Sequence, residues 1–272
     1  MKNLITYLLL LILSTTVASA QQSGAQPAFR NGEVLTLKVS YRARLIPNTE
    51  VATVVMSVAD TTINDRPYYC IYANARTMPS WRWFYNLNDT YRSYVDTTTF
   101  RPVLSTSQIR ENGYRAWTRF EYDWDNGVSA NTKQRRQNPP TEHRIPIEGE
   151  SYDGVSLFYD LRTIDPTTLV EDEDRTIALL LNDTVRYINY LYLGRERKKV
   201  RNVGTFRTLK FSCQLATSTG ESFEDGSEFF IWISDDRNKI PVFFESPIRV
   251  GSVRAYISKF EGLRFPVESL ED

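Results

Sequence analysis

A chain of 272 residues with 41% hydrophobic and 13% aromatic side chains can bury a substantial core, and its 33 basic and 33 acidic residues cancel to no net charge. That balance argues against a general polyanion binder, which needs a clear basic excess. Two cysteines and one histidine leave too few ligands for a structural zinc site.

The chain opens Met1-Lys2-Asn3, continues through the apolar Leu4–Leu13, and reaches Ala18-Ser19-Ala20 before the polar Gln21-Gln22. A short basic start, an apolar stretch too short to span a bilayer and an A-x-A site predict a signal peptide over 1–20, cleaved after Ala20. The periplasm is the expected destination, with the cell surface as the alternative. No cysteine follows the site to carry a lipid, and no later segment is long and apolar enough to be a transmembrane helix. Residues 21–28 read as a flexible leader, 29–263 as a single β domain, and 264–272 as a tail.

Asn31-Gly32 precedes a first strand in which Leu35, Leu37 and Val39 alternate with Val34, Thr36, Lys38 and Ser40, so the odd positions face inward. Val51–Val58 and Tyr68–Ala75 follow as strands around the Asn64–Pro67 turn. Tyr91–Asp96, Arg101–Arg110, Tyr114–Tyr122 and Val128–Lys133 repeat at the spacing of an antiparallel meander, with Asn112-Gly113 and Asp125-Asn126-Gly127 as hairpin turns. Arg135–Ile145, holding Asn138-Pro139-Pro140, reads as a loop.

A single helix is predicted over 153–164, with Asp153 as N-cap and Leu157, Leu161 and Ile164 on one apolar face, ending at Asp165-Pro166. Strands resume at Thr176–Leu181, Val185–Leu193 and Phe206–Ala216. The densest apolar run is Gly226–Phe260, where Phe229, Ile231 and Ile233 alternate with Phe230, Trp232 and Ser234. A polar turn, Asp235–Lys239, then leads into Ile240–Phe244. Apolar residues on both faces place this hairpin inside a covered sheet or a barrel wall, with Asp235 and Asp236 shaping the turn.

Candidate sites are few. Trp81, Trp83 and Tyr85 share a face if the backbone is extended, and can stack on a sugar, line an apolar ligand pocket, or simply pack the sheet; packing is favoured because aromatics dominate cores. Arg195, Arg197, Lys198, Lys199 and Arg201 form a basic run that can meet anionic headgroups or an acidic partner, or protect a hairpin tip from edge pairing, which is the favoured reading. Cys70 and Cys213 lie in strand-like runs, where a disulfide is permitted by export but free buried thiols are favoured. His143 sits in a Pro-flanked loop without a GxSxG elbow or HExxH helix around it. The carboxylate clusters Glu148, Glu150, Asp153 and Glu221, Glu224, Asp225 read as surface turns. Without a GxGxxG, Walker or EF-hand pattern, no cofactor is expected, and no catalytic or metal-binding residue is assigned.

Several short pieces, in this order and spacing, resemble an exported bacterial family, domain of unknown function 3108. They are Gly32-Glu33 with Leu35; Tyr91 with Ser93, Tyr94 and Asp96; Asp153 with Ser156, Leu157 and Arg162; Trp232, Ser234, Asp235, Pro241 and Val242; and Gly251-Ser252. The resemblance covers about Phe29 to Gly262. It implies a periplasmic protein with a strongly curved antiparallel sheet, similar to the half-barrel of lipoprotein carriers, and a helix on the concave side; it supplies no catalytic residues. Asp-Thr-x triplets at Asp60, Asp96 and Asp183 resemble an O-glycosylation motif of the Bacteroidetes.

The fold expected is therefore mainly β, one large curved antiparallel sheet or partly closed barrel with a single short covering helix. The function expected is non-enzymatic binding of a lipid or other amphiphile in its cavity. The alternative is a structural or partner-binding envelope protein with a filled core. Nucleic acid is not expected as a partner.

Overall fold

The computed structural model describes residues 27–43, 46–147, 149–181, 184–216, 223–248 and 251–271. The signal peptide expected over 1–20 lies outside these residues, as do Glu148, Glu221 and Asp183. The chain forms strands β1 (Val34–Ala43), β2 (Ile46–Ile63), β3 (Arg66–Thr77), β4 (Asn88–Asp96), β5 (Pro102–Glu111), β6 (Tyr114–Asp123), β7 (Val128–Arg135), β8 (Thr141–Pro146) and β9 (Ser151–Tyr152). After helix α1 (Gly154–Asp160) come β10 (Arg175–Leu181), β11 (Thr184–Val200), β12 (Gly204–Ala216), β13 (Phe223–Ser234), β14 (Pro241–Pro247), β15 (Ser252–Glu261) and β16 (Leu270–Glu271).

All sixteen strands belong to one sheet, ordered β8 through β1, then β15 back down to β9, with the short β16 against β12. Two meanders therefore meet where β1 pairs with β15, Val34 opposite Glu261 and Arg42 opposite Ser252. Neighbours are antiparallel except β9 and β10. Two-residue turns at Asn64-Asp65 and Asn112-Gly113 have positive φ at both positions, which matches the right-handed strand twist. Beside the central pair, Gly251 has φ +90°, and a Cβ there would strike the Arg42 carbonyl.

The free edges are β8 and β9, which follow one another in the chain across 147–150. The sheet therefore has to curl, yet β8 and β9 form no ladder. Side chains fill the seam: Ile145 of β8 and Ile147 just past it cluster with Leu180 of β10 and with Phe120 and Tyr122 of β6.

Period-two alternation points Leu35, Leu37 and Val39, then Ala52, Val54, Met56 and Val58, then Ile71, Ala73 and Ala75 into the interior. From the other meander come Phe211, Phe229, Ile231, Ile233, Val242 and Phe244. Helix α1 lies inside the curve, every residue from Val155 to Asp160 buried, with Phe158 stacked on Phe244 at 6.2 Å. So short a helix is marginal alone. A capping box holds its start: Asp153 accepts from the backbone N–H of Val155 and Ser156, while Ser156 Oγ accepts from the N–H of Asp153. One 3₁₀ turn, Leu161–Thr163, ends it before Asp165-Pro166.

That turn carries Arg162, whose side chain is 0% exposed, as is that of its partner Glu33. The guanidinium meets the carboxylate through both Nη atoms, and it also donates to the carbonyls of Ala28 and Asn238, each at 3.0 Å. The rings of Phe29 and Tyr159 flank it at 5.6 and 5.2 Å. Burial opposes the charge, but Glu33, Tyr159 and Asp236 together outweigh it and hold the guanidinium pKa above its ordinary value. Asn238 extends the network, donating to the carbonyls of Phe265 and Pro266 at 2.9 Å, while Asp236 accepts from Ser269 Oγ at 2.6 Å.

These contacts correct three expectations. Ala28 is buried with its carbonyl engaged, so the packed domain already includes the end of the supposed leader. The supposed tail, 264–272, is packed as far as it is described, because Phe265, Pro266 and Ser269 bind the Asp236–Asn238 turn and Leu270 pairs with Phe206. The loop expected over 135–145 ends in β8, since Thr141–Pro146 pairs with β7 once the two prolines are passed.

The disulfide also falls away. Cys70 on β3 sits between Tyr69 and Ile71, which face the core, so it points to the outer face, whereas Cys213 of β12 is inside the core. Five strands separate them in the sheet. Among the described residues, no helix is long and apolar enough to cross a membrane.

Removing one member of the buried ion pair leaves an uncompensated charge. Arg162→Met or Glu33→Gln should each lower unfolding free energy by about 3–5 kcal/mol, with the double replacement Arg162→Met/Glu33→Leu recovering much of that loss, measured by urea denaturation. Thiol titration of the unfolded, unreduced protein should find both cysteines; a count of zero would restore the disulfide.

Candidate functional site

The inner face of the sheet changes character at β5. Where β1–β3 send in valine, leucine and isoleucine, β5 sends in Ser105, Ser107, Ile109 and Glu111, β6 sends in Tyr114, Ala116, Thr118 and Phe120, and β7 sends in Asn131, Lys133 and Arg135. Register sets these in rows: Ile109–Ala116–Arg135, Ser107–Thr118–Lys133 and Ser105–Phe120–Asn131. The small side chains Ala116 and Thr118 in the middle of the first two rows cannot reach the opposite wall, made by Leu179, Leu180 and Leu181 of β10 and by the start of α1, whereas Phe120 in the third row packs against Leu180. A cavity of about 630 Å³ results, within the usual range for small-molecule sites.

Its chemistry is divided. Leu179–Leu181, Ile109, Ala116 and Phe120 give an apolar surface, and Lys133, Arg135 and Arg136 line a cationic side. At the β4 side lies a carboxyl cluster. Asp89 is 0% exposed and accepts from the backbone N–H of Arg110 at 2.7 Å, with Tyr91 Oη at 3.5 Å. Burial, with the adjacent Glu111 carboxyl, pushes the Asp89 pKa up to about 8. Asp89 is hydrogen-bonded to Glu111, which also accepts from Tyr85 Oη at 2.6 Å. On the floor, burial raises the Asp153 pKa, while Ser93 Oγ donates to it at 2.7 Å and Ser156 Oγ at 2.9 Å.

Asp153 was expected to belong to a surface turn; it is instead buried, because the strand before it delivers the helix start into the barrel. The extended backbone supposed for Trp81–Tyr85 is also absent. Pro79–Trp81 form a 3₁₀ turn, Phe84 N and Tyr85 N bond to the Trp81 carbonyl, and the three aromatics diverge. Tyr85 reaches the cavity, Trp81 is half-buried, and Trp83 projects into solvent.

The basic run lies in β11, paired along its length with β12, and only Arg201 reaches the turn. Arg195 pairs with Asp235 at 2.9 Å, Arg197 with Glu271 at 3.0 Å, Arg201 with Glu50 at 3.9 Å, and Lys199 is exposed. Lys198 Nζ lies over the rings of Trp232 and Phe243 at 3.2 and 4.1 Å, and burial lowers its pKa to about 8. The outward aromatics of the β13–β15 hairpin are thus covered by long basic side chains rather than by the helix, which lies inside. His143 is exposed on β8, opposite Asn131.

Asp89, Glu111, Lys133 and Arg135 were not picked out from sequence. For Glu111, Lys133 and Arg135 the signal was the alternation of β5 and β7, where inward parity falls on polar or small residues; Asp89, on β4, had no such signal, nor did its pairing with Glu111. Because folding raises the Asp89 pKa, the native state holds a proton that the unfolded chain has lost between about pH 4 and pH 8. The stability from this group is full at the acid end and falls as pH climbs through that window, by up to about 1.4 kcal/mol per pH unit. Asp89→Asn should flatten this decline in melting temperature between acid and mildly alkaline buffers; an unchanged slope would show that Asp89 is already ionised in the native state.

Comparison with solved structures finds the same architecture in a beta-barrel-like protein of domain of unknown function DUF1849 from Brucella abortus. Its crystal structure aligns at TM-score 0.54 over 86% of this chain and 98% of its own. With 8% identity, that likeness concerns the fold alone. No curated protein matches the chain. The family model described as Protein of unknown function (DUF3108) matches residues 36–258. That span runs from β1 to β15 and includes both the cavity and the Arg162 turn, and the chain belongs to the DUF3108 family.

Proposed function

We propose that the protein binds a lipid or other amphiphile in its interior cavity without transforming it, and that it does so outside the cytoplasm. The observation that carries this reading is the unfilled volume between β5–β7 and β10, about 630 Å³, apolar on one wall and cationic on another. A molecule with an apolar body and an anionic head matches that division: leucines for the body, Lys133, Arg135 and Arg136 for the head. The basic start, apolar stretch and A-x-A site of residues 1–20, which read as a signal peptide, support the location.

The alternative, a structural or partner-binding envelope protein, draws support from the half of the interior that is filled by α1 and the apolar strands. It gives no reason for the other half. A protein selected only for rigidity gains from packing its interior, and an unfilled volume forgoes that stabilisation. The small residues of β5 and β6 act against stability and in favour of space.

The test uses oleate as a probe. Native mass spectrometry and isothermal titration should find one oleate per chain, Lys133→Ala/Arg135→Ala should weaken binding by about tenfold, and Ala116→Phe, which fills the cavity, should abolish it while circular dichroism stays unchanged. If oleate does not bind, and organic extraction of freshly purified protein also releases no amphiphile, the proposal fails.

A further inference from the structure

One end of the barrel carries a feature that neither the fold nor the cavity requires. Trp83 is 80% exposed and Phe84 61%, and their rings touch edge to face at 5.9 Å. Large aromatics are rarely left bare in this way without a use. The loop bearing them is not loose. Met78 N bonds to the Val51 carbonyl and Thr77 N to that of Leu87, while Asn86 exchanges bonds with Asn112 of the neighbouring hairpin turn. Two bulky rings are therefore held out from a rigid base.

Arginines surround that base. Arg76 and Arg82 flank one shallow depression with Asn86 and Asn88, and Arg110 and Arg115 flank the next with Asn112 and Gly113. Arg136 extends the series to the cavity mouth. Among the described residues none of these five arginines is in an ion pair, and the acids beside Arg110, Asp89 and Glu111, are both buried, Asp89 against the backbone N–H of Arg110 and Glu111 against Tyr85. A chain of zero net charge thus presents one locally cationic end, with aromatics at its tip.

We infer that this end docks on an anionic lipid bilayer, with Trp83 and Phe84 entering the headgroup region and the arginine collar meeting the lipid phosphates. Tryptophan is at home at the membrane–water interface, and each basic residue near an anionic surface adds attraction. A protein partner is the poorer match, since a stable protein interface needs a broad complementary surface and this one is a two-ring projection with cations spread around it. A bilayer needs no shape complement. The inference rests on surface residues alone and holds whatever the cavity binds.

The experiment is co-sedimentation with vesicles of equimolar phosphatidylglycerol and phosphatidylcholine, beside vesicles of phosphatidylcholine alone. The protein should bind the anionic vesicles, more weakly at high salt, with a blue shift in tryptophan emission. Trp83→Ala/Phe84→Ala should cut the partition by about tenfold or more and remove the shift. Arg82→Glu/Arg115→Glu should lose the preference for anionic vesicles. These positions are exposed, so circular dichroism should match the parent. Ala116→Phe, which tests the cavity, should leave vesicle binding intact, so the two proposals can fail separately. No binding to anionic vesicles, or equal binding by Trp83→Ala/Phe84→Ala, overturns the inference, as does recovery of these residues in a stable complex with a protein instead.

Discussion

A guanidinium without exposed surface stays charged inside a protein only when its donors are satisfied, and Arg162 meets that condition by drawing four parts of the chain to one point. Glu33 comes from the approach to β1, Ala28 from the amino-terminal segment, Asn238 from the β13–β14 turn, and Arg162 itself from the end of the helix. Desolvation makes such a pair a weak source of net stability, but it is severe on any arrangement that separates the partners. The geometry therefore acts as a specification. It fixes how deep α1 sits, and through the capping box it fixes where Asp153 meets Ser93 of β4.

With the helix fixed, the interior divides in two. Toward Phe244 and the β1–β3 face, α1 packs against large apolar side chains and the volume is consumed. Beyond its amino-terminal end, β5 and β6 offer serine, alanine and threonine, and the volume remains. The same sheet thus provides a solid half that sustains the fold and a hollow half that departs from it. Placing the hollow half next to the side-chain seam between β8 and β10 also sets it where the wall lacks a hydrogen-bonded ladder.

Much of the fold was legible because its signals are local. The alternation of Leu35, Leu37 and Val39, the Asn112-Gly113 turn and the Asp153 cap each depend on a few consecutive residues, and each is found in place. The two faces of the β13–β14 hairpin were legible too, although not what covers the outer one, since Lys198 reaches Trp232 from two strands away. The site was harder to read. Trp81, Trp83 and Tyr85 drew attention as bulky neighbours, but Pro79 begins a turn that scatters them. The cavity depends on residues that are small rather than conspicuous, and on which strand stands opposite. Asp89 and Glu111 lie on β4 and β5 with a loop and a hairpin between them and the rest of the lining, and nothing in either local sequence announces that the two carboxyls share a space.

The pairing of β1 with β15 has a consequence for the order in which the molecule can come into being. Val34 stands opposite Glu261, so the strand at the centre of the finished sheet is among the first made and its partner among the last. Until β15 has been synthesised, β1 has a neighbour on one side only and presents an open edge beside an uncovered apolar face. Each meander can assemble from near neighbours, but the ladder that joins them waits for almost the whole chain. Nascent forms of this protein are thus half-sheets with sticky margins, and shielding those margins during synthesis is a burden the topology places on the cell.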